Sequence, residues 1–213
     1  MKKIISIILL SFMLISLAAC GNSESEPTAT PTETQTEELV AEAVSTEDMA
    51  AENEQEENRM LVAYFSATGN TKSLAQTIAE VTGADIYEIV PEDPYTDEDL
   101  NYSDDNCRAN QEMNDPDARP NISGSLDNID EYDTILLGYP IWWGTMPRII
   151  NTFLDTYDLS GKTIMPFCTS GGTSITTSVS DIKNICTDSE VTDGFRGSSS
   201  SDQTDIEEWL GGN

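Results

Sequence analysis

Histidine is absent from this 213-residue chain, and bases are scarce, with 10 lysines and arginines against 39 aspartates and glutamates and a formal net charge of −29. The first absence excludes Ser-His-Asp and Cys-His nucleophilic catalysis, His-ligated zinc and any histidine general base. The second excludes sequence-independent nucleic-acid binding, which needs cationic side chains to neutralise phosphates. Chemistry is left to carboxylates, thiols, hydroxyls, backbone amides or a bound cofactor. The longest apolar or small-residue run, over 4–19, falls short of the roughly 20 residues a membrane-spanning helix needs.

Lys2 and Lys3 precede that run, the charged-then-apolar order of a secretory signal. It ends in Leu17-Ala18-Ala19-Cys20, which resembles the lipobox of bacterial lipoprotein precursors; a plain signal peptide with a chance cysteine is the alternative. The resemblance implies that residues 1–19 are removed and that Cys20 carries lipid. The protein is then expected on the extracytoplasmic side of the bacterial cell membrane, held by acyl chains rather than by a helix. Residues 21–59 contain no aromatic side chain and 12 acids against one base, Arg59. Such a segment cannot bury enough apolar surface to offset the entropy of ordering it. With the lipid cysteine it forms an expected disordered tether over 20–59, about 35 Å in root-mean-square span, leaving 60–213 as one domain.

Within that domain apolar strands alternate with helical patterns. Residues 60–65 are wholly apolar or aromatic, as in a strand buried on both faces of a parallel sheet. From Asn70, Leu74, Ile78 and Val81 recur at helical spacing up to Gly83. An edge strand is expected over 84–90, a central strand over 134–139, and a helix opened by Pro147 that carries Ile149, Ile150, Phe153, Leu154 and Tyr157. Residues 162–167 read as a fourth strand with an end made irregular by Pro166. Val179, Ile182, Ile185 and Cys186 mark another helix, a weak fifth strand follows over 190–195, and Ile206, Trp209 and Leu210 mark a short last helix. This order predicts an α/β fold, a doubly wound open sheet with helices on both faces. Ligands in such sheets bind beyond the carboxyl ends of the strands.

Three loops fall at that end. The first, Ser66-Ala67-Thr68-Gly69-Asn70-Thr71, joins a strand to a helix N-terminus. Its hydroxyls at Ser66, Thr68 and Thr71, with Gly69 permitting close backbone approach, make an anion cradle that needs no lysine or arginine. It matches neither the Gly-x-Gly-x-x-Gly dinucleotide fingerprint nor the Walker loop. The second, from Tyr139 to Pro147, contains adjacent Trp142 and Trp143. Both cannot point into one core face, so at least one is expected to be exposed or to cover a ligand. The third is Cys168-Thr169-Ser170-Gly171-Gly172-Thr173-Ser174.

Tyr-Phe-Ser-Ala-Thr-Gly-Asn-Thr over 64–71, followed by Ala75 and Ile78, resembles the FMN-phosphate loop and first helix of the flavodoxins, and the resemblance extends over about 60–210. It implies a five-stranded parallel sheet of order 2-1-3-4-5. FMN would be bound at Ser66, Thr68, Gly69, Asn70 and Thr71, at Pro140, Ile141, Trp142, Trp143 and Gly144 along the isoalloxazine, and at Cys168, Thr169, Ser170, Gly171 and Gly172. The third loop departs from small electron-carrying flavodoxins in having no aromatic to stack on the second face of the ring, which leaves that face more open.

Residues 91–133 are far longer than an ordinary connection and are expected to form a functional excursion or covering flap. Its acids, Asp93, Asp97, Glu98, Asp99, Asp104 and Asp105, lack the spacing of a calcium loop, and Arg108 and Arg119 either meet these acids or shape the site. Once Cys20 is lipidated, Cys107, Cys168 and Cys186 remain, enough for at most one disulfide, with a Cys107–Cys168 bridge or buried free thiols as the options.

The two resemblances together imply an FMN-binding lipoprotein that passes electrons between a donor and an acceptor at the membrane surface, its partner being a redox protein or a small-molecule acceptor such as a quinone. The alternatives are an FMN-dependent NAD(P)H:quinone or flavin reductase and a non-redox surface binding module. Over 60–213 the chain carries 27 acids against 7 bases, a net −20, a field expected to steer basic partners and to hold the potential of a bound flavin down.

Overall fold

The computed structural model describes residues 58–212; the expectations for the signal run, Cys20 and most of the tether lie outside the described residues. Strand β1 (Met60–Tyr64) leads into helix α1 (Asn70–Thr82) and strand β2 (Asp85–Glu88). A long excursion then carries a short helix, α2 (Arg108–Asn114), and a 3-10 turn at Ile129–Glu131. After it come β3 (Thr134–Pro140), α3 (Arg148–Thr156), β4 (Thr163–Thr169), α4 (Thr176–Ile185), β5 (Glu190–Val191), β6 (Phe195–Gly197) and α5 (Gln203–Gly211). All strand pairs are parallel, in the expected order β2-β1-β3-β4-β5.

The continuous apolar strands have two faces to fill. Alternate residues Leu61, Ala63, Phe65, Ile135, Leu137 and Tyr139 pack with Ile149, Ile150 and Phe153 of α3 and with Val179 and Ile182 of α4. The residues between them, Val62, Tyr64, Leu136, Met165 and Phe167, pack with Leu74, Ala75 and Ile78 of α1 and Ile206 of α5. Burial of each large aliphatic side chain contributes about 1.5–3 kcal/mol. Gly138 leaves room for the Phe167 ring: a Cβ there would sit 2.2 Å from the ring's Cζ. An alanine would force repacking at a cost of about 1–3 kcal/mol.

Three features differ from the sequence reading. Pro166 does not end its strand, because β4 runs unbroken through it to Thr169. The Ile164 carbonyl accepts from Thr192 N–H of the neighbouring chain segment, so Pro166, two residues on, turns its missing donor to the same side. The irregularity appears in the neighbour instead: the expected single fifth strand is split into β5 and β6, and the gap between them faces Met165 and Pro166. The excursion also contains helix α2, which its sparse apolar pattern did not announce.

Arg59 fixes the start of the domain at the amino edge of the sheet. Its backbone N–H donates to Asp133 at 3.0 Å, its guanidinium meets Glu131 at 2.5 Å, and it lies 5.0 Å from the Tyr132 ring centre. The carboxyl edge, at the opposite end of the strands, carries the loops with the candidate chemistry.

Candidate functional site

After β1 the chain turns sharply into α1. Gly69 N–H donates to Ser66 Oγ at 3.1 Å and Asn70 Nδ2 donates to Thr68 Oγ1 at 3.1 Å. Gly69 caps the helix with φ 86°, a left-handed conformation that costs glycine little. No side chain caps α1, and its first turn holds no acid, so in a strongly acidic domain its amide dipoles and N–H groups stay available to an anion. Nothing lies within 4 Å of where a Gly69 Cβ would be. Lys72 does not assist, being paired with Glu88 at 2.8 Å. Thr71 is buried, and its hydroxyl lies 2.8 Å from that of Thr169; it braces two loops rather than facing the opening.

The second loop closes on itself. Trp142 N–H donates to the Thr145 carbonyl at 2.9 Å and Thr145 N–H donates back to Trp142 at 3.0 Å, with Trp143 (φ 47°) and Gly144 (φ 89°) at the tip. Two successive left-handed residues make a type I′ turn, whose first central position favours Asn. A tryptophan there stores roughly 1–2 kcal/mol of backbone strain. The turn is pinned to α4 by Thr145 Oγ1, which donates to Asp181 at 2.5 Å. The tryptophans divide as their adjacency requires: Trp142 is buried, packed edge-on to Phe65 (5.7 Å) and Tyr95 (5.3 Å), while Trp143 is half exposed.

In the third loop Cys168 points into the core, where burial pushes its thiol up to about 12. Ser170 Oγ accepts from Thr173 N–H (2.7 Å) and Gly172 N–H (3.2 Å), and Gly171 and Gly172 are exposed.

These loops enclose a cleft of about 450 Å³, within the size range of small-molecule sites. Of the expected site residues, Thr68, Asn70, Pro140, Ile141, Trp142, Thr169, Ser170 and Gly171 line it. Ser66, Gly69, Thr71, Trp143, Gly144, Cys168 and Gly172 do not line it. The cleft also takes Ala67, Tyr102 from the excursion, and Gly197, Ser198 and Ser199 after β6. The serine run at 198–201, between a strand and a helix, repeats the chemistry of the first loop and was a readable signal. Tyr102 had none, since only tertiary packing brings it near.

Arg108 and Arg119 meet carboxylates outside the cleft. Arg108 pairs with Glu112 at 2.6 Å and stacks 4.1 Å from the Tyr95 ring centre; Arg119 pairs with Asp155 at 2.6 Å. Cys107, Cys168 and Cys186 are unpaired thiols, and Cys107 Sγ accepts from Asn110 N–H at the start of α2.

A doubly wound parallel sheet with hydroxyl- and glycine-rich loops around a cleft at its carboxyl edge defines the class as an α/β ligand-binding domain. The chain belongs to the flavodoxin family, whose model, described as Flavodoxin, matches residues 59–213. Among solved structures, a candidate flavoprotein from Bacteroides eggerthii is 44% identical, with TM-score 0.70, over 72% of this chain and 96% of that one. A second from Bacteroides uniformis is 38% identical, with TM-score 0.68, over 72% and 98%. A flavoprotein from Lactobacillus acidophilus in complex with FMN is 25% identical, with TM-score 0.57, over 72% and 99%. No curated protein matches the chain.

Proposed function

We propose that the domain binds FMN noncovalently in the carboxyl-edge cleft and passes electrons between a donor and an acceptor at the extracytoplasmic membrane surface, anchored through lipid at Cys20. The observation that carries the reading is the uncapped, acid-free N-terminus of α1 opening on a cleft walled by aromatic residues. Family membership and the FMN complex of the Lactobacillus relative support it. FMN, when bound, supplies one- and two-electron redox chemistry.

The chain's own residues hold and shield it. The first amides of α1, with Thr68 and Asn70, bind the phosphate. Pro140, Ile141 and Trp142 form one wall of the ring site, and Thr169, Ser170 and Gly171 form another. The acidic surface steers basic partners, so partner reduction should slow as salt screens the field. Thr68→Glu places a negative charge in the phosphate cradle. The expected result is loss of FMN retention; unchanged retention would place the phosphate elsewhere.

A reductase reading is favoured by the small, exposed Gly171 and Gly172, which leave space for a second planar ligand. Sustained NAD(P)H oxidation by the purified protein alone would select it over the carrier.

A further inference from the structure

We propose that Tyr102 supplies an aromatic wall of the cleft from the excursion, beside the second loop, and that Asn110 is the residue that positions it. This rests on the FMN reading above and assigns a role to the long excursion. Tyr102 lines the cleft, and the residue is 49% exposed. Its ring stands edge-on to Trp143 at 5.2 Å (83°) and to Trp142 at 6.3 Å (64°). Three rings from two separate segments thus form a corner, and a planar ligand entering the cleft meets an aromatic surface from the excursion as well as from the second loop.

The excursion is built to hold that ring in place. Asn110 is only 6% exposed, and its single Nδ2 donates to the carbonyls of Asp104 (2.7 Å) and Tyr102 (3.3 Å). The bond to Tyr102 fixes the backbone that carries the ring. Asn110 is itself fixed by α2. There, Arg108 binds Glu112 at 2.6 Å and the Asp93 carbonyl at 2.7 Å, and Arg148 of α3 donates to the carbonyls of Glu112 (3.3 Å) and Met113 (3.2 Å). Tyr95, beneath the Arg108 guanidinium, packs against Trp142 and Phe65. The path runs from the sheet through α2 and Asn110 to the Tyr102 ring. An aspartate at 110 has the same shape but presents an acceptor where both carbonyls need a donor.

The test is titration of FMN into the protein and its variants, followed by quenching of flavin fluorescence and by the visible circular dichroism of the bound flavin. Tyr102→Phe keeps the ring and should bind within about twofold of wild type. Tyr102→Ala should weaken binding about five- to tenfold and change the dichroism. Asn110→Asp should weaken binding similarly, and in a Tyr102→Ala background should add no further loss of affinity, although it still lowers thermal stability. Binding by Tyr102→Ala equal to wild type overturns the proposal, and this pair decides even if Asn110→Asp does not fold. A full additional loss from Asn110→Asp without the ring overturns the positioning role. Absence of FMN binding by the wild type overturns the function reading and this inference with it; wild-type binding with unaffected variants overturns this inference alone.

Discussion

The hydroxyls of Thr71 and Thr169 lie 2.8 Å apart in the protein interior, joining the first turn of α1 to the end of β4 across 98 residues of sequence. One belongs to the loop that offers its amides to an anion, the other to the loop on the far side of the cleft. Removing either hydroxyl leaves its partner buried with an unmet polar atom. Thr71→Val or Thr169→Val alone should therefore destabilise the fold by about 1–3 kcal/mol, whereas the double variant should lose much less than the sum. Chemical denaturation of the three variants checks this, and simple additivity would mean that the two hydroxyls act independently.

Trp143 occupies a left-handed position at the tip of its turn, next to Gly144. Asparagine adopts that conformation more readily, so Trp143→Asn should raise the stability of the flavin-free protein by about 1 kcal/mol. The same change removes the ring that meets Tyr102 and should weaken FMN retention. Thermal melts of the flavin-free protein, set beside FMN titrations, should show the two quantities moving in opposite directions. A drop in both would mean that the ring's packing outweighs the strain.

Alkaline pH should destabilise the domain as it rises through the ordinary ionisation range of thiols and phenols. Burial pushes the Cys168 thiol up to about 12 and raises Tyr139, Tyr95 and Tyr64 well above the usual phenol value; Glu112 adds to the shift at Tyr95 and Glu88 to that at Tyr64. Each group is neutral when protonated and has a higher pKa folded than unfolded. Its stabilisation is complete below its ordinary value, 9.0 for the thiol and 10.0 for the phenols. It declines as pH rises from there toward the folded value. The melting temperature should fall above about pH 9 on this account, and phenolate absorbance should rise together with loss of structure. Ionisation of Tyr139, Tyr95 or Tyr64 near 10 in a protein still folded would contradict it.

The alternation of strands and helices and the three loops were legible because a strand buried on both faces announces itself as an unbroken apolar run, and because doubly wound sheets place their ligand loops at one edge; the strand order itself came from the resemblance of residues 64–71 to the flavodoxins. The division of Trp142 and Trp143 followed from side-chain alternation alone. Other features depended on distant partners. The role of Pro166 was set by which neighbour its missing donor faced, a matter of register with β5 and β6. Thr71 reads as one more hydroxyl in a polar loop until Thr169 is brought beside it. Tyr102 and Asn110 sit eight residues apart in a segment rich in acids and asparagines, and nothing local distinguishes this tyrosine from Tyr95, which packs into the core. Helix α2 is short, and only Ala109 and Met113 carry it into the core, so its apolar pattern was faint.

The central claim is that this cleft holds FMN, and the visible spectrum of the purified protein after incubation with FMN and exhaustive dialysis tests it most directly. The account predicts retained flavin absorbance at one equivalent per chain, lost in Thr68→Glu. A wild-type protein that emerges from dialysis without flavin absorbance would contradict both the carrier and the reductase readings.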